Sequence, residues 1–340
     1  MTGIEEYILE HTTIIVDEQI SLGNLKFRLL SNTLEFKGKE FFSKEIRTPC
    51  TNSSYKNHFE LWCISFNNTT INKKYIINNI DSSYRSNSFA AGYYATDHFG
   101  HPVYLITNSS KFFVFGEHLE KVVWCYFVKY FLLLFTINHN SLFLKAAAFG
   151  INNKGTLLFG RGNAGKTTFL GTFCQNGASF ITNSHAIVKD FNIVGMSTCL
   201  RIRPKNIWWK KEINANFKPN LNPGEVIADP NQMFLNHDTK PVKLKNILII
   251  DFLKPKYHYV KKICPQDAYN YIEQFGLGIN VYRLEEDLLD YYKGNYKEFV
   301  TKYQNMKYLL KIIIQDSNCY YIRSDILDDY NRNQIFKLLS

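Results

Sequence analysis

Gly160-Arg161-Gly162-Asn163-Ala164-Gly165-Lys166-Thr167-Thr168 fits the phosphate-binding pattern G-x-x-x-x-G-K-[ST] at every fixed position. The residue types suit an anion. Glycine lets the backbone wrap closely around a phosphate, and successive N–H groups turn inward to cradle its oxygens. On this reading Gly160, Arg161, Gly162, Asn163, Ala164, Gly165, Lys166, Thr167 and Thr168 hold ATP or GTP. Lys166 would meet the β- and γ-phosphates, and the Thr167 hydroxyl would hold Mg²⁺. The plainer alternative is a glycine-rich turn that happens to carry a lysine.

The flanks of the stretch decide between the two. Thr156-Leu157-Leu158-Phe159 is a short apolar run that predicts a strand, and Thr167 to Cys174 continues at helical spacing. Strand, loop and helix in that order put a helix N-terminus, with its positive dipole end and unpaired N–H groups, under the phosphates. Further upstream, Leu142 to Phe149 predicts a single strand, returned toward Thr156 by the turn Asn152-Asn153-Lys154-Gly155. Before it, Glu117 to Asn138 predicts one long, largely buried helix.

Residues 1–116 predict a β-rich region. Thr13–Val16, Lys26–Leu29, Thr33–Phe36, Phe59–Ile64, Val103–Ile106 and Lys111–Phe115 are short aromatic or β-branched runs separated by Asn- and Ser-rich turns. Such runs argue for an antiparallel sheet. Asp97-His98-Phe99-Gly100-His101 offers three potential metal ligands, but Gly100 and Pro102 argue for a polar turn, and a structural zinc needs four well-spaced ligands.

The succession from residue 118 to 205 resembles the HPr kinase-like group within the phosphoenolpyruvate-carboxykinase-like P-loop fold, which has relatives beside peptide-modifying enzymes. The likeness rests on a helix leading into Lys145-Ala146-Ala147-Ala148, where members often read His-Ala-Ala, then a hairpin, an apolar strand and the glycine-rich stretch. A short helix ending at Asn176-Gly177-Ala178 and the strand Ser179-Phe180-Ile181-Thr182 follow, leading into Asn183-Ser184-His185. The resemblance implies an α/β fold: a P-loop-containing mixed sheet with flanking helices across residues 117–340, beside the β-rich N-terminal region. It also implies phosphoryl transfer from ATP or GTP, with Mg²⁺, to a hydroxyl on a peptide or small molecule. Members carry two aspartates where this chain has Asn183 and Ser184. An amide cannot serve as a base at neutral pH, and general-base catalysis is worth about 10² to 10⁴ in rate. Two other readings therefore stay open: a nucleotide-binding protein in which occupancy controls partner binding, and nucleotide-driven activation of a carboxylate or amide in peptide maturation.

Two residues could supply what the pair lacks. His185 titrates in the right range to accept a proton, although a buried structural histidine also fits it. Asp251 follows four apolar residues, Ile247-Leu248-Ile249-Ile250, which is how a strand-end aspartate reaches a magnesium ion. The expected catalytic set is thus Lys166, Asn183, Ser184, His185 and Asp251, with Thr167 and Asp251 on the metal. Arg201 and Arg203 share a strand face and could clamp phosphate, Trp208 and Trp209 could rim an entrance or pack in the core, and Asn220 to Asn236 reads as a long loop. Beyond Asp251 come expected helices at Pro265–Phe275, Leu284–Tyr292 and Glu298–Met306, strands at Tyr308–Ile314 and Asn318–Ile322, and a last helix from near Asp325.

Composition narrows the setting. A 340-residue chain with 45% hydrophobic residues has ample material for a packed core. The net charge of +10 is spread among asparagines and aromatics, and Lys210-Lys211 and Lys261-Lys262 are no more than pairs, so it describes a basic surface rather than a nucleic-acid groove. Seven widely spaced cysteines without a C-x-x-C pair read as buried thiols in a reducing cytoplasm. The first residues lack the pattern of a signal peptide, and Val122 to Ile137, interrupted by Lys129, is too short for a membrane span. The expected partners are a nucleotide and its peptide or small-molecule acceptor, with no membrane or nucleic acid; a homo-oligomer is one assembly the sequence allows.

Overall fold

The computed structural model describes residues 2–33, 47–50, 57–78, 103–117, 119, 122–196, 198–202, 218–219, 226–238, 240–252 and 257–340. The protein is mixed α/β and divides into two compact units, Met1–Phe135 with Tyr282–Phe299, and Thr136–Val281 with Val300–Ser340.

In the first unit the chain runs α1 (Thr2–His11), β1 (Val16–Leu22), β2 (Leu25–Ser31), β3 (Arg47–Pro49), β4 (Phe59–Ser65), α2 (Lys73–Asn78), β5 (Val103–Asn108) and β6 (Lys111–Gly116). The described strands form a sheet in the order β3-β1-β2-β4-β6-β5. It is mixed where an antiparallel sheet was expected, because β4 pairs parallel with both β2 and β6. The reason is visible in Leu61-Trp62-Cys63-Ile64 and Phe112-Phe113-Val114-Phe115, which are buried without alternation, as strands covered on both faces are. The first element is a helix, with Ile4 and Ile8 one turn apart in the core, so the strand expected from Thr13 begins at Val16. The expected strand Thr33–Phe36, apart from Thr33, and the whole Asp97–His101 cluster lie outside the described residues. No cluster of potential metal ligands occurs among the described ones.

The long apolar helix opens with a π-helical turn, Val123–Phe127, and continues as α3 (Val128–Asn138). Lys129, the charge that interrupts it, is buried; its Nζ donates to the Trp124 carbonyl at 2.7 Å and lies 5.4 Å from the Tyr282 ring centre. A buried ammonium needs such partners. No helix among the described residues is long and apolar enough to cross a membrane.

The second unit contains β7 (Leu142–Leu144), β8 (Ala147–Ile151), β9 (Lys154–Phe159), α4 (Lys166–Gln175), β10 (Ser179–Thr182), β11 (Ala186–Lys189) and β12 (Asn192–Val194). After these come β13 (Leu200–Ile202), β14 (Lys218–Pro219), β15 (Val226–Ala228), α5 (Pro230–Met233), β16 (Val242–Asp251), β17 (His258–Lys262) and α6 (Pro265–Phe275). Beyond α6 the chain forms α7 (Gly278–Tyr282), then α8 (Glu285–Tyr291) and the first turn of α9 (Tyr296–Gln315), which belong to the first unit; the rest of α9, β18 (Asn318–Ser324) and α10 (Asp329–Leu339) belong to the second. The described strands of the large sheet run β10-β8-β9-β16-β12-β11-β7, with β18 on β16 and β17 on β18. β9, β16 and β18 are parallel neighbours. β10 is antiparallel to β8, which is antiparallel to β9, so β10 and β9 point the same way.

Phe169, Leu170 and Phe173 of α4 pack on Ala147, Phe149, Leu158, Leu248, Ile250 and Ile322, which fixes the helix on one face of this sheet. Three expectations need correction. The single strand expected from Leu142 to Phe149 is two, because the chain leaves β7 at Lys145-Ala146 to pair with different partners as β8. The strand expected at Tyr308–Ile314 is instead the second half of α9, whose buried Met306, Leu310, Ile313 and Ile314 follow helical spacing. The Asn220–Asn236 loop contains β15 and α5 in its described part, and the last helix starts later than expected, with Asp328 as its N-cap.

Candidate functional site

The stretch 160–168 leaves β9 at Phe159 and enters α4 at Lys166. Two glycines are required by geometry. Gly165 has φ +88°, and a Cβ there would lie 2.4 Å from Cβ of Phe252; one on Gly160 would lie 2.9 Å from both the Ala164 side chain and the Ile250 carbonyl. β16 holds the loop from beside it, since the Phe252 N–H donates to the Ala164 carbonyl at 2.9 Å. Ala164 and Thr168 are buried, whereas Arg161, Gly162 and Asn163 are exposed. Lys166 Nζ donates to the carbonyls of Gly160 at 2.6 Å and Arg161 at 3.0 Å, so its ammonium lies along the loop.

Asp251 ends β16. Ile249 pairs with Phe159, the last residue of β9, so β16 runs on beside the loop to Asp251, whose carboxylate lies 3.7 Å from the Arg161 guanidinium. On the next strand Arg323 stands opposite Asp251 and lays its guanidinium over the Tyr257 ring at 5.4 Å. Tyr271 of α6 reaches the same place from another element. Its phenol is pushed above the usual tyrosine range by burial and by the Asp251 charge, against the opposing Arg161 backbone and guanidinium. No motif announces Tyr271; it follows a Pro-initiated helix with an ordinary amphipathic pattern, and only the fold brings it here.

Asn183, Ser184 and His185 follow β10. Thr182 is opposite Ala148, which is opposite Leu157, so β10 ends on the level at which β9 approaches the loop. Two strand spacings, ~10 Å, separate them across the sheet. Asn183 and His185 are buried and Ser184 partly so; the Thr182 hydroxyl donates to the His185 carbonyl at 2.7 Å, and the His185 ring lies 5.7 Å from that of Phe143. One end of the sheet therefore gathers Gly160–Thr168, Asp251, Tyr271 and, farther along, Asn183–His185.

The chemistry of this set fits an anion with a hard cation. Thr167 and Asp251 offer the oxygen donors magnesium prefers, and Arg161, Lys166 and Arg323 supply positive charge. Arg201 is exposed in the separate three-stranded sheet, and Arg203, Trp208 and Trp209 lie outside the described residues. Cys50, Cys63, Cys174, Cys199, Cys264 and Cys319 are free thiols, but not all are buried: Cys264 is exposed and its sulfur accepts from the Asp267 N–H at the start of α6. The chain matches no protein-family model and no curated protein sequence.

Proposed function

We propose that residues 160–168 bind the phosphates of ATP or GTP and that the chain is a Mg²⁺-dependent phosphotransferase acting on a hydroxyl of a peptide or small molecule, with an HPr kinase-like P-loop fold. The observation that carries this reading is the glycine-rich loop between β9 and α4, clamped by β16 so that Asp251 stands beside it. Lys166 would bind the β- and γ-phosphates, and Thr167 and Asp251 would hold the metal. Bound Mg²⁺ would neutralise charge on the transferred phosphoryl group. The residues' own task is positioning: the loop N–H groups orient the phosphates, and the start of α4 adds its dipole. The free thiols support a reducing, cytoplasmic setting.

A second reading, nucleotide occupancy as a switch for partner binding, is favoured by one observation. The strand end that faces the loop's level carries the buried amide Asn183 where a base would be needed. Calorimetric titration of MgATP and MgGTP into the parent chain and Lys166→Ala separates these readings from a structural loop. The parent should bind one of them with micromolar to millimolar affinity and the variant at least about tenfold more weakly, the loss of one charge-assisted hydrogen bond. Equal binding by both proteins would remove the nucleotide reading. Binding without phosphoryl transfer or hydrolysis would leave the switch.

A further inference from the structure

β17 is an edge of the large sheet. It pairs antiparallel with β18 from His258–Ser324 to Lys262–Tyr320, and no described strand pairs with its other side. The bonds at its two ends fix which backbone groups point away. The Asp325 N–H donates to the Tyr257 carbonyl at 3.1 Å and the Ile263 N–H to the Cys319 carbonyl at 3.0 Å, so by alternation Tyr259 and Lys261 also bond toward β18. The N–H and C=O groups of His258, Val260 and Lys262 therefore point outward, with no bond to another described residue. The strand is braced from behind: Val260 packs on the core under α4, His258 Nδ1 lies 2.8 Å from the Ser324 hydroxyl, and the Tyr259 and Tyr321 ring centres are 6.2 Å apart. A preformed row of donors and acceptors costs a partner strand less to bind than one that must first become ordered.

Charge selects the occupant. β17 carries His258, Lys261 and Lys262, all exposed, and no acid. A second copy of this chain is a poor fit, because an antiparallel pairing centred on Val260 sets each Lys262 against His258 of the other copy and gathers the lysines of both on one short ribbon. An extended segment with acids along it meets a cation on either face, Lys261 on one and Lys262 on the other. The rows of the sheet lead from this edge to the candidate site. Tyr259 is opposite Arg323, which is opposite Asp251, so a strand added to β17 lies three strand spacings, ~14 Å, from β16. β17 runs against β18, so a strand added antiparallel to it runs with β16 and β18 and ends at the level of the loop. About four extended residues beyond that end cover the distance to Asp251.

We propose that β17 docks the acceptor as an added strand: an acidic, extended peptide segment, bound antiparallel through the outward backbone groups of His258, Val260 and Lys262, whose following residues reach the loop. The inference deepens the function proposed above. The segment's role as acceptor rests on that reading, whereas the docking itself needs no nucleotide.

The test is fluorescence anisotropy, without nucleotide, of a labelled peptide of about ten residues alternating glutamate and threonine. The parent chain should bind it with a Kd of about 10–500 μM, and a counterpart with lysine for glutamate at least about tenfold more weakly. The acidic peptide N-methylated at its central glutamate and threonine, which blocks one edge each, should also lose at least about tenfold. Val260→Pro should do the same while melting close to the parent, because a proline is tolerated where the N–H points away from the sheet; Val260→Thr, which keeps that N–H, should bind as the parent does. Lys261→Glu with Lys262→Glu should reverse the preference between the two peptides. No binding of the acidic peptide at about 1 mM would mean that the lysines only keep this edge from pairing, and would overturn the proposal. Equal binding of the methylated and unmethylated peptides, or an unchanged preference in the charge-reversed variant, would overturn it too. Should Val260→Pro fail to fold, the methylated peptide carries the decision on the unaltered chain. Lys166→Ala should dock the peptide as the parent does; loss of docking there would place the peptide at the loop instead and refute the edge. Failure of the parent to bind MgATP or MgGTP would remove the acceptor role and leave the docking result standing.

Discussion

At the scale of single residues, the loop is more constrained by what cannot be present than by what is. Gly165 combines a left-handed φ of +88° with a neighbour, Phe252, that would meet any added carbon at 2.4 Å. Gly162 faces open space. The two glycines therefore differ in kind: one is a backbone requirement of this fold, while the other leaves room on the exposed side of the loop. Gly165→Ala should lower stability by at least about 1–2 kcal/mol from the left-handed backbone alone, and more from displacing Phe252. Gly162→Ala should stay within about 0.5 kcal/mol. Denaturant midpoints of the two variants check this; equal midpoints would mean that the clamp from β16 does not fix the loop. The requirement at Gly165 was legible in the sequence, because the pattern demands glycine there. Its cause, the close passage of Phe252, was not, since Phe252 itself lies more than eighty residues downstream in the chain.

At the scale of elements, sequence was informative wherever one period and one cap agreed. Pro265–Phe275 is recovered as α6 with both bounds as expected, because proline sits in its first turn and Gly276 at its end. The hairpin between β11 and β12 turns at Asp190-Phe191, both at positive φ. It failed where an apolar run satisfies two periods at once. Tyr308-Leu309-Leu310-Lys311-Ile312-Ile313-Ile314 reads as a strand by composition, yet it continues the helix that begins at Tyr296, and its length then decides in favour of α9. Tyr308 is 62% exposed within that helix, which makes a clean test. Tyr308→Pro should cost about 3 kcal/mol or more, by removing a helical hydrogen bond and clashing with the preceding turn, while Tyr308→Ala should be close to neutral. If the proline variant were as stable as the alanine variant, residues 308–314 would not be helical.

At the scale of the whole second unit, the sheet order explains why Asn183 and Ser184 belong to the argument although they neither pair with nor adjoin residues 160–168. The strand β10 follows α4 directly in the chain but sits beyond β8, and it points the same way as β9. The shared direction was inferable from a helix returning the chain to a parallel strand. The intervening β8 was not, because Leu142 to Phe149 gave no local sign that it breaks at Lys145-Ala146 and serves two sets of partners. That break sets the separation of ~10 Å between strand ends, a span one acceptor group could bridge. On the proposed function, Asn183→Asp installs a carboxylate that can accept a proton from such an acceptor, at a position that is only 5% exposed. A buried carboxylate costs stability, so the variant should melt below the parent in the absence of ligand. With MgATP or MgGTP it should raise phosphoryl transfer or hydrolysis, by up to about 10² to 10⁴ if proton removal limits the step. Release of labelled phosphate, compared with the Lys166→Ala,Asn183→Asp double variant, measures the gain and assigns it to this loop. A gain that survives Lys166→Ala would come from another site. A variant that folds and binds nucleotide as the parent does, yet shows no change in turnover, would mean that the end of β10 takes no part in the reaction and that nucleotide occupancy alone is the output.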